Sequence, residues 1–191
     1  VAVGTGGYVA APVLMAAWLR GRPLLIQEQN AYAGLTNRVL ARLALRIHLA
    51  FPEAKDWVPA EHAVVSGNPT RQSLRDADPD AARAAFNVPE GGRVLLVMGG
   101  SLGSAAINGA IQRILDPLLA EGDVYVVWQT GTRYYDDLTE DLDEHPRLRV
   151  VEYIDQMGHA YAAADLAVCR AGALTCSELT VTGTPAVLVP S

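Results

Sequence analysis

Short apolar runs alternate along the chain with longer stretches in which apolar residues recur every three or four positions. The first run, Val1-Ala2-Val3, enters a glycine turn, and a helix is predicted over residues 9–20. A strand follows over 23–27. A second helix over 34–45 is expected to bury Leu35, Val39, Leu40 and Leu43 on one face. Strands are predicted at 47–51 and 63–65. From Gly67 to Gly92 the texture changes: Pro69, Pro79 and Pro89 interrupt it, with a short charged helix between the last two. The pattern restarts with the buried-strand run Arg93-Val94-Leu95-Leu96-Val97-Met98. A helix follows with Ile107, Ile111, Ile114, Leu115 and Leu118 on one face, kinking or ending near Pro117. Further strands fall at 124–128, 148–152, 166–169 and 186–189, with helical stretches between them.

Strands alternating with helices predict an α/β fold with parallel sheets covered on both faces. The expected organisation is a first domain over 1–68, a linker over 69–92 and a second domain over 93–191. Both domains read as Rossmann-like, with a cleft between them. Both ends are abrupt: the chain opens at the end of a strand and closes just after one, as a piece of a longer protein would.

Composition narrows the chemistry. The chain has 191 residues, 50% hydrophobic and 19% charged, with a net charge of −6. That is a globular composition, and no basic cluster suited to a nucleic-acid backbone is present. Cys169 and Cys176 supply no disulfide framework, and Cys169 reads as a small buried hydrophobe. The four histidines stand apart, without the spacing of metal ligands. The longest apolar stretch, 9–19, contains Pro12 and is too short to span a bilayer, so any membrane contact is expected to be peripheral.

Two glycine-rich turns stand between a strand and a helix: Gly4-Thr5-Gly6-Gly7 and Gly99-Gly100-Ser101-Leu102-Gly103. Such turns let a phosphate approach backbone N–H groups at a helix start. A dinucleotide site is the rival reading. Its third glycine would fall at Val9 in the first turn, and its middle glycine at Ser101 in the second, so the spacing fails. A third feature runs from Arg170 through Ala171, Gly172, Ala173, Leu174, Thr175, Cys176 and Ser177 to Glu178. Small residues turn the chain into a helix, and Glu178 lies about one turn in, where a carboxylate can accept both hydroxyls of a ribose. The competing reading is that Thr175 and Ser177 cap the helix and Glu178 favours its dipole.

These features occur together with Gly4-Thr5-Gly6-Gly7-Tyr8-Val9, Glu28-Gln29-Asn30, Gly34-Leu35-Thr36-Asn37, Gly67-Asn68-Pro69-Thr70-Arg71 and Tyr153-Ile154-Asp155-Gln156-Met157. In order and approximate spacing the set resembles the MurG family over nearly the whole chain. The resemblance implies a GT-B-type inverting glycosyltransferase of peptidoglycan synthesis. Such an enzyme moves GlcNAc from UDP-GlcNAc to undecaprenyl-diphosphate-MurNAc-pentapeptide at the cytoplasmic face of the bacterial membrane, with no metal or other cofactor. Carried over residue by residue, it implies a donor site of Asn30, Arg71, Ser101, Ile154 and the segment Ala173, Leu174, Thr175, Cys176, Ser177 and Glu178. In that site Arg71 and Ser101 serve the diphosphate, the backbone of Ile154 the uracil and Glu178 the ribose. The loop Gly4, Thr5, Gly6, Gly7 and Tyr8 corresponds to the family's acceptor-diphosphate loop.

The chain departs from the family pattern at Gln27, where the family usually has His, at Leu102, where it has Gln, at Trp128, where it often has His, and at Ala10-Ala11, where it has Ser-Gly. The family's first glycine loop, with its candidate catalytic His, corresponds to positions before Val1. Its Gln-containing donor loop corresponds to positions after Ser191. The 191 residues alone are therefore expected to be inactive in transfer. Glu28 is the stand-in for the base within them, with loop organisation as its other reading. Two alternatives remain open: another GT-B enzyme that uses a UDP-sugar, such as a glycolipid synthase or a UDP-GlcNAc epimerase, and a non-catalytic nucleotide-sugar-binding subunit.

Overall fold

The computed structural model describes residues 1–140 and 142–190. The chain divides into two compact units, Val1–Pro69 and Thr70–Ser191.

In the first unit, strands β1 (Ala2–Gly4), β2 (Leu24–Glu28), β3 (Arg46–Leu49) and β4 (Ala63–Val65) pair in parallel in that order. Parallel neighbours need crossover connections. Helix α1 (Ala10–Leu19) makes the first. Helix α2 (Leu35–Leu40), continued by a 3-10 turn at Ala41–Leu43, makes the second. Leu24, Ile26, Ile47 and Leu49 point to one face and pack with Leu14 and Leu40. On the other face Val3 is 66% and Val64 36% exposed. Each strand adds on the same side of the last, so crossovers of one hand put their helices on one face.

The predicted apolar face of α2 is also corrected. Leu35 and Val39 are exposed, whereas Leu40, Ala41 and the polar Asn37 are buried. The buried carboxylate of Glu28 draws Asn37 inward and rotates the helix away from the face its apolar residues mark.

The second unit contains α3 (Pro79–Ala85), β5 (Arg93–Met98), α4 (Ala105–Ala120), β6 (Val124–Gln129), α5 (Tyr135–Glu140), β7 (Leu148–Val151), α6 (Met157–Ala163), β8 (Leu166–Arg170), α7 (Ala173–Thr182) and β9 (Ala186–Val189). Its sheet is parallel throughout, in the order β7-β6-β5-β8-β9. Here both faces are covered. Val94, Leu96 and Met98 pack with Tyr161 and Leu179 on one side. Leu95 and Val97 pack with Ile107, Ile111 and Leu115 on the other. This is the period of two expected for a strand buried on both faces.

The segment 69–92, expected as a linker, is almost entirely part of this second unit. Leu74 and Val88 enter its core. Gly158 of α6 lies so close to the 3-10 turn Gln72–Leu74 that a Cβ there would sit 2.4 Å from the Ser73 carbonyl oxygen. Arg83 of α3 donates to both oxygens of Asp165 at 2.7 and 2.9 Å. The prolines mark turns between packed pieces rather than a free tether. Likewise α4 does not stop at Pro117 but runs through it. Arg113, whose carbonyl loses its amide partner there, lies on the exposed side with Pro117, where water can take the bond.

Candidate functional site

Strands β5 and β8 are neighbours, yet the chain leaves them toward opposite edges of the sheet. A crevice opens at the carboxyl ends of such a pair, because the connections diverge to opposite faces. A cavity of about 410 Å³ lies there, with Arg71, Ser101, Tyr161, Arg170, Thr175 and Glu178 in its lining.

The turn after β5 owes its shape to close backbone approach. A Cβ on Gly99 would sit 2.4 Å from the Ser104 nitrogen, and one on Gly103 would sit 2.1 Å from the Thr130 carbonyl oxygen. The loops following β5 and β6 therefore touch through backbone, and Thr132 N–H donates to the Ser101 carbonyl at 3.2 Å. The Ser104 hydroxyl caps α4 by accepting from Ile107 N–H at 3.5 Å. Ser101 itself stays exposed at the rim.

The turn after β8 ends at Gly172, the N-cap of α7, with no side-chain capping bond. The Ser177 hydroxyl donates to the Ala173 carbonyl at 2.9 Å instead. Glu178 is the sixth residue of the helix and lies outside its first turn, which carries no acidic residue. The capping and dipole reading of this segment therefore does not describe it. One oxygen of Glu178 accepts from the Tyr161 hydroxyl at 3.0 Å. Tyr161 is buried, and burial first, then the neighbouring carboxylate, raises its pKa far above the ordinary phenol range. It stays a neutral donor that orients Glu178. Burial likewise pushes the Cys169 thiol up to about 11, with Cys176 adding to the shift.

Arg71 and Arg170 bring positive charge to the cavity. Among the described residues neither is in an ion pair. A site with two guanidinium groups in no ion pair among the described residues, a hydroxyl-bearing glycine turn and a helix N-terminus suits an anion such as a diphosphate.

Of the residues expected from sequence, Arg71, Ser101, Leu174, Thr175 and Glu178 line this cavity together. Ala173, Cys176 and Ser177 share α7 but do not line it. Ile154 has a buried side chain in the core, and its N–H is already donated to Gln129 Oε1 at 2.9 Å. The expectation that its backbone groups are open to uracil is corrected to the carbonyl alone. Ile154 borders an adjoining cavity of about 300 Å³, which shares Tyr153 with the first.

In the first unit, Glu28 is 3% exposed. One of its oxygens accepts from Asn30 N–H at 3.0 Å and Asn30 Nδ2 at 3.3 Å. The other accepts from Gly34 N–H at 2.9 Å and Asn37 Nδ2 at 2.8 Å. Four bonds fill the acceptor capacity of a carboxylate. A general base needs a lone pair directed at the substrate proton, so the geometry assigns Glu28 to organising the 28–37 loop and not to proton transfer. Asn30 is exposed beside it. Gln27, at the family's histidine position, donates to the Gly67 carbonyl at 3.2 Å and so ties β2 to the turn after β4. In the Gly4-to-Tyr8 loop, Gly4 is buried against Leu14, while Thr5, Gly7 and Tyr8 are exposed, Tyr8 at 87%.

Sequence reasoning missed Tyr161 and Arg170 as parts of the site, and Asn108 and Gln129 as its supports. Asn108 accepts from the Trp128 indole N–H at 3.1 Å and donates to the Thr130 carbonyl at 3.0 Å. The available signal was a polar residue inside the apolar face of α4.

Comparison with known proteins agrees with this geometry. Residues 94–191 match the glycosyltransferase family 28 C-terminal domain, and residues 1–49 match the family 28 N-terminal domain. The chain is 99% identical over 191 residues to the UDP-N-acetylglucosamine--N-acetylmuramyl-(pentapeptide) pyrophosphoryl-undecaprenol N-acetylglucosamine transferase of Salinibacter ruber, covering 100% of this chain and 52% of that protein. It is 47% identical to the protein of the same name from Chlorobium phaeobacteroides, again covering 100% of this chain and 52% of that protein. The crystal structure of Acinetobacter baumannii MurG aligns with a TM-score of 0.64 at 34% identity, over 99% of this chain and 52% of that one. The chain spans about half the length of the curated relatives it matches. With both family 28 domains matched in order, and the C-terminal model covering residues 94–191, the chain belongs to glycosyltransferase family 28.

Proposed function

We propose that the second unit binds UDP-GlcNAc in the crevice between β5 and β8, and that the chain forms part of an inverting N-acetylglucosaminyltransferase. The transferase moves GlcNAc to the undecaprenyl-diphosphate-linked muramyl peptide in peptidoglycan synthesis. The observation that carries this reading is the convergence of Arg71, Arg170, Ser101, Thr175 and Glu178 on one cavity. The diphosphate lies against the Ser101 turn and the arginines, the ribose against Glu178, and the base toward Tyr153 and the Ile154 carbonyl. Charge developing on the leaving UDP is stabilised by these fixed donors, so the site needs no metal.

The first unit is the acceptor and membrane side in this proposal, with the Gly4-to-Tyr8 loop at the acceptor diphosphate. Peripheral attachment at the cytoplasmic face is supported by one surface of this unit. Leu35, Val39 and Trp57 line a depression with Arg38 and Arg42, and the Arg38 guanidinium stacks on Trp57 at 4.9 Å. Exposed apolar and aromatic groups with adjacent arginines suit the headgroup region of an anionic bilayer. No helix of the described residues is long and apolar enough to cross a membrane.

Calorimetric titration of the chain with UDP, UDP-GlcNAc and NAD tests the donor reading. UDP and UDP-GlcNAc are expected to bind and to compete with each other. Tighter binding of NAD, or none of the uridine nucleotides, overturns it.

A further inference from the structure

Gln129 closes β6, is 4% exposed and borders the donor cavity. Its side-chain Nε2 donates to the Gly100 carbonyl at 3.1 Å, and its Oε1 accepts from Ile154 N–H at 2.9 Å. The amide orientation is fixed by these partners, because a carbonyl only accepts and a backbone N–H only donates. One buried amide thus bridges the turn after β5 and the loop after β7.

The Gly100 carbonyl belongs to the same planar, trans peptide as Ser101 N–H, so the two point in opposite directions. Gly103 N–H also donates to that carbonyl, at 3.0 Å. Holding the oxygen from two sides fixes the direction of Ser101 N–H, which meets no acceptor among the described residues. Gly100 has φ +90° and no neighbour where a Cβ would stand, so no side-chain packing at that position restrains the peptide. At the other end, Gln129 holds the N–H of Ile154, the residue whose carbonyl the donor reading turns toward the base. The planar amide of Gln129 is thus a direct side-chain link from Ile154 to the Gly100–Ser101 peptide.

We propose that Gln129 is a positioning residue that couples the base-side loop to the diphosphate-side turn, so that occupancy by the nucleoside sets the orientation of Ser101 N–H toward the phosphates. This rests on the donor reading given above. The residues on either side of Gln129 do a different job: the Trp128 side chain and the Thr130 backbone carbonyl hold α4 through Asn108.

The test is a titration of the isotope-labelled chain with uridine, which carries no phosphate, followed by backbone amide NMR. In the wild type the Ile154 and Ser101 amide resonances are expected to move together along one binding curve. In Gln129→Met, which keeps the volume and loses both bonds, Ile154 is expected to respond and Ser101 to stay still. In Gln129→Glu the Ile154 bond is kept and an oxygen faces the Gly100 carbonyl, so Ser101 again falls silent. UDP affinity is expected to fall roughly 5- to 50-fold in Gln129→Met, as for two lost neutral hydrogen bonds. If wild-type uridine moves Ile154 but not Ser101, or if both still move in Gln129→Met, the coupling proposal is overturned and the donor reading stands. If uridine moves neither while UDP also fails to bind, the donor reading falls, and the coupling with it. The wild-type arm decides the matter even where a variant does not fold.

Discussion

Replacing Glu178 with alanine separates a ribose-binding carboxylate from a merely structural one, and the structure sets both magnitudes. Glu178 is partly buried, with one oxygen engaged by the buried Tyr161 hydroxyl at 3.0 Å. Removing the carboxylate leaves that hydroxyl with only the weak acceptor Met98 Sδ at 3.9 Å, which costs about 1–3 kcal/mol of stability. For a unit of this size that lowers the melting temperature by about 2–4 °C per kcal/mol. Loss of its charge-assisted bonding to the ribose costs a further ~1.5–3 kcal/mol in total, in binding alone. UDP affinity should therefore fall roughly 10- to 100-fold. Glu178→Gln splits the two effects, because its amide oxygen still accepts from Tyr161. Stability should stay near wild type while UDP affinity drops, since one acceptor becomes a donor and the charge is lost. Tyr161→Phe does the reverse: Glu178 keeps its charge but loses the group that orients it, so affinity falls by less than in Glu178→Ala. Calorimetry with UDP and differential scanning calorimetry on the same samples give both numbers. Unchanged UDP affinity in Glu178→Ala, with only a lowered melting temperature, would refute the assignment and remove Glu178 from the site.

Other outcomes follow from the same geometry. UDP should bind the chain with the same Kd in EDTA as in magnesium, because Arg71 and Arg170 supply the positive charge at the cavity; strict dependence on a divalent ion would contradict this. At neutral pH, alkylation of the native chain should modify Cys176 and spare Cys169, which is 1% exposed and has its pKa raised to about 11; equal labelling of both thiols by mass spectrometry would argue against it. Because the unfolded thiol titrates near its ordinary value of 9.0, the unfolded state releases the Cys169 proton first. The contribution of that residue to stability is therefore constant below pH 9 and lost as pH rises toward 11, which denaturant titration of Cys169→Ala against wild type would detect. Val39→Glu, on the exposed face of α2, should reduce co-sedimentation of the chain with anionic vesicles without altering UDP binding; equal sedimentation would remove that face from the membrane proposal.

Much of the fold is legible in the linear order of residues because strand and helix periods are local. The runs that became β5 and β9 needed only consecutive or alternating apolar residues bounded by glycine, proline or charge. The glycine turn at 99–103 could be read for the same reason, since close backbone approach excludes every other residue type. The sequence also determined the family, through several short motifs in fixed order. What it could not supply was any property that depends on residues distant in the chain. The burial of Asn37 in place of Val39 follows from a carboxylate nine residues away on another element. The packing of 69–92 into the second unit depends on Gly158 and Asp165, more than sixty residues later. The free carboxylate assumed at Glu28 and the free N–H assumed at Ile154 were both taken up by partners that no periodicity marks. Tertiary structure alone decided these points, because a polar group taken out of water must find a bonding partner, and the nearest one in space is set by how strands and helices pack and not by their spacing along the chain.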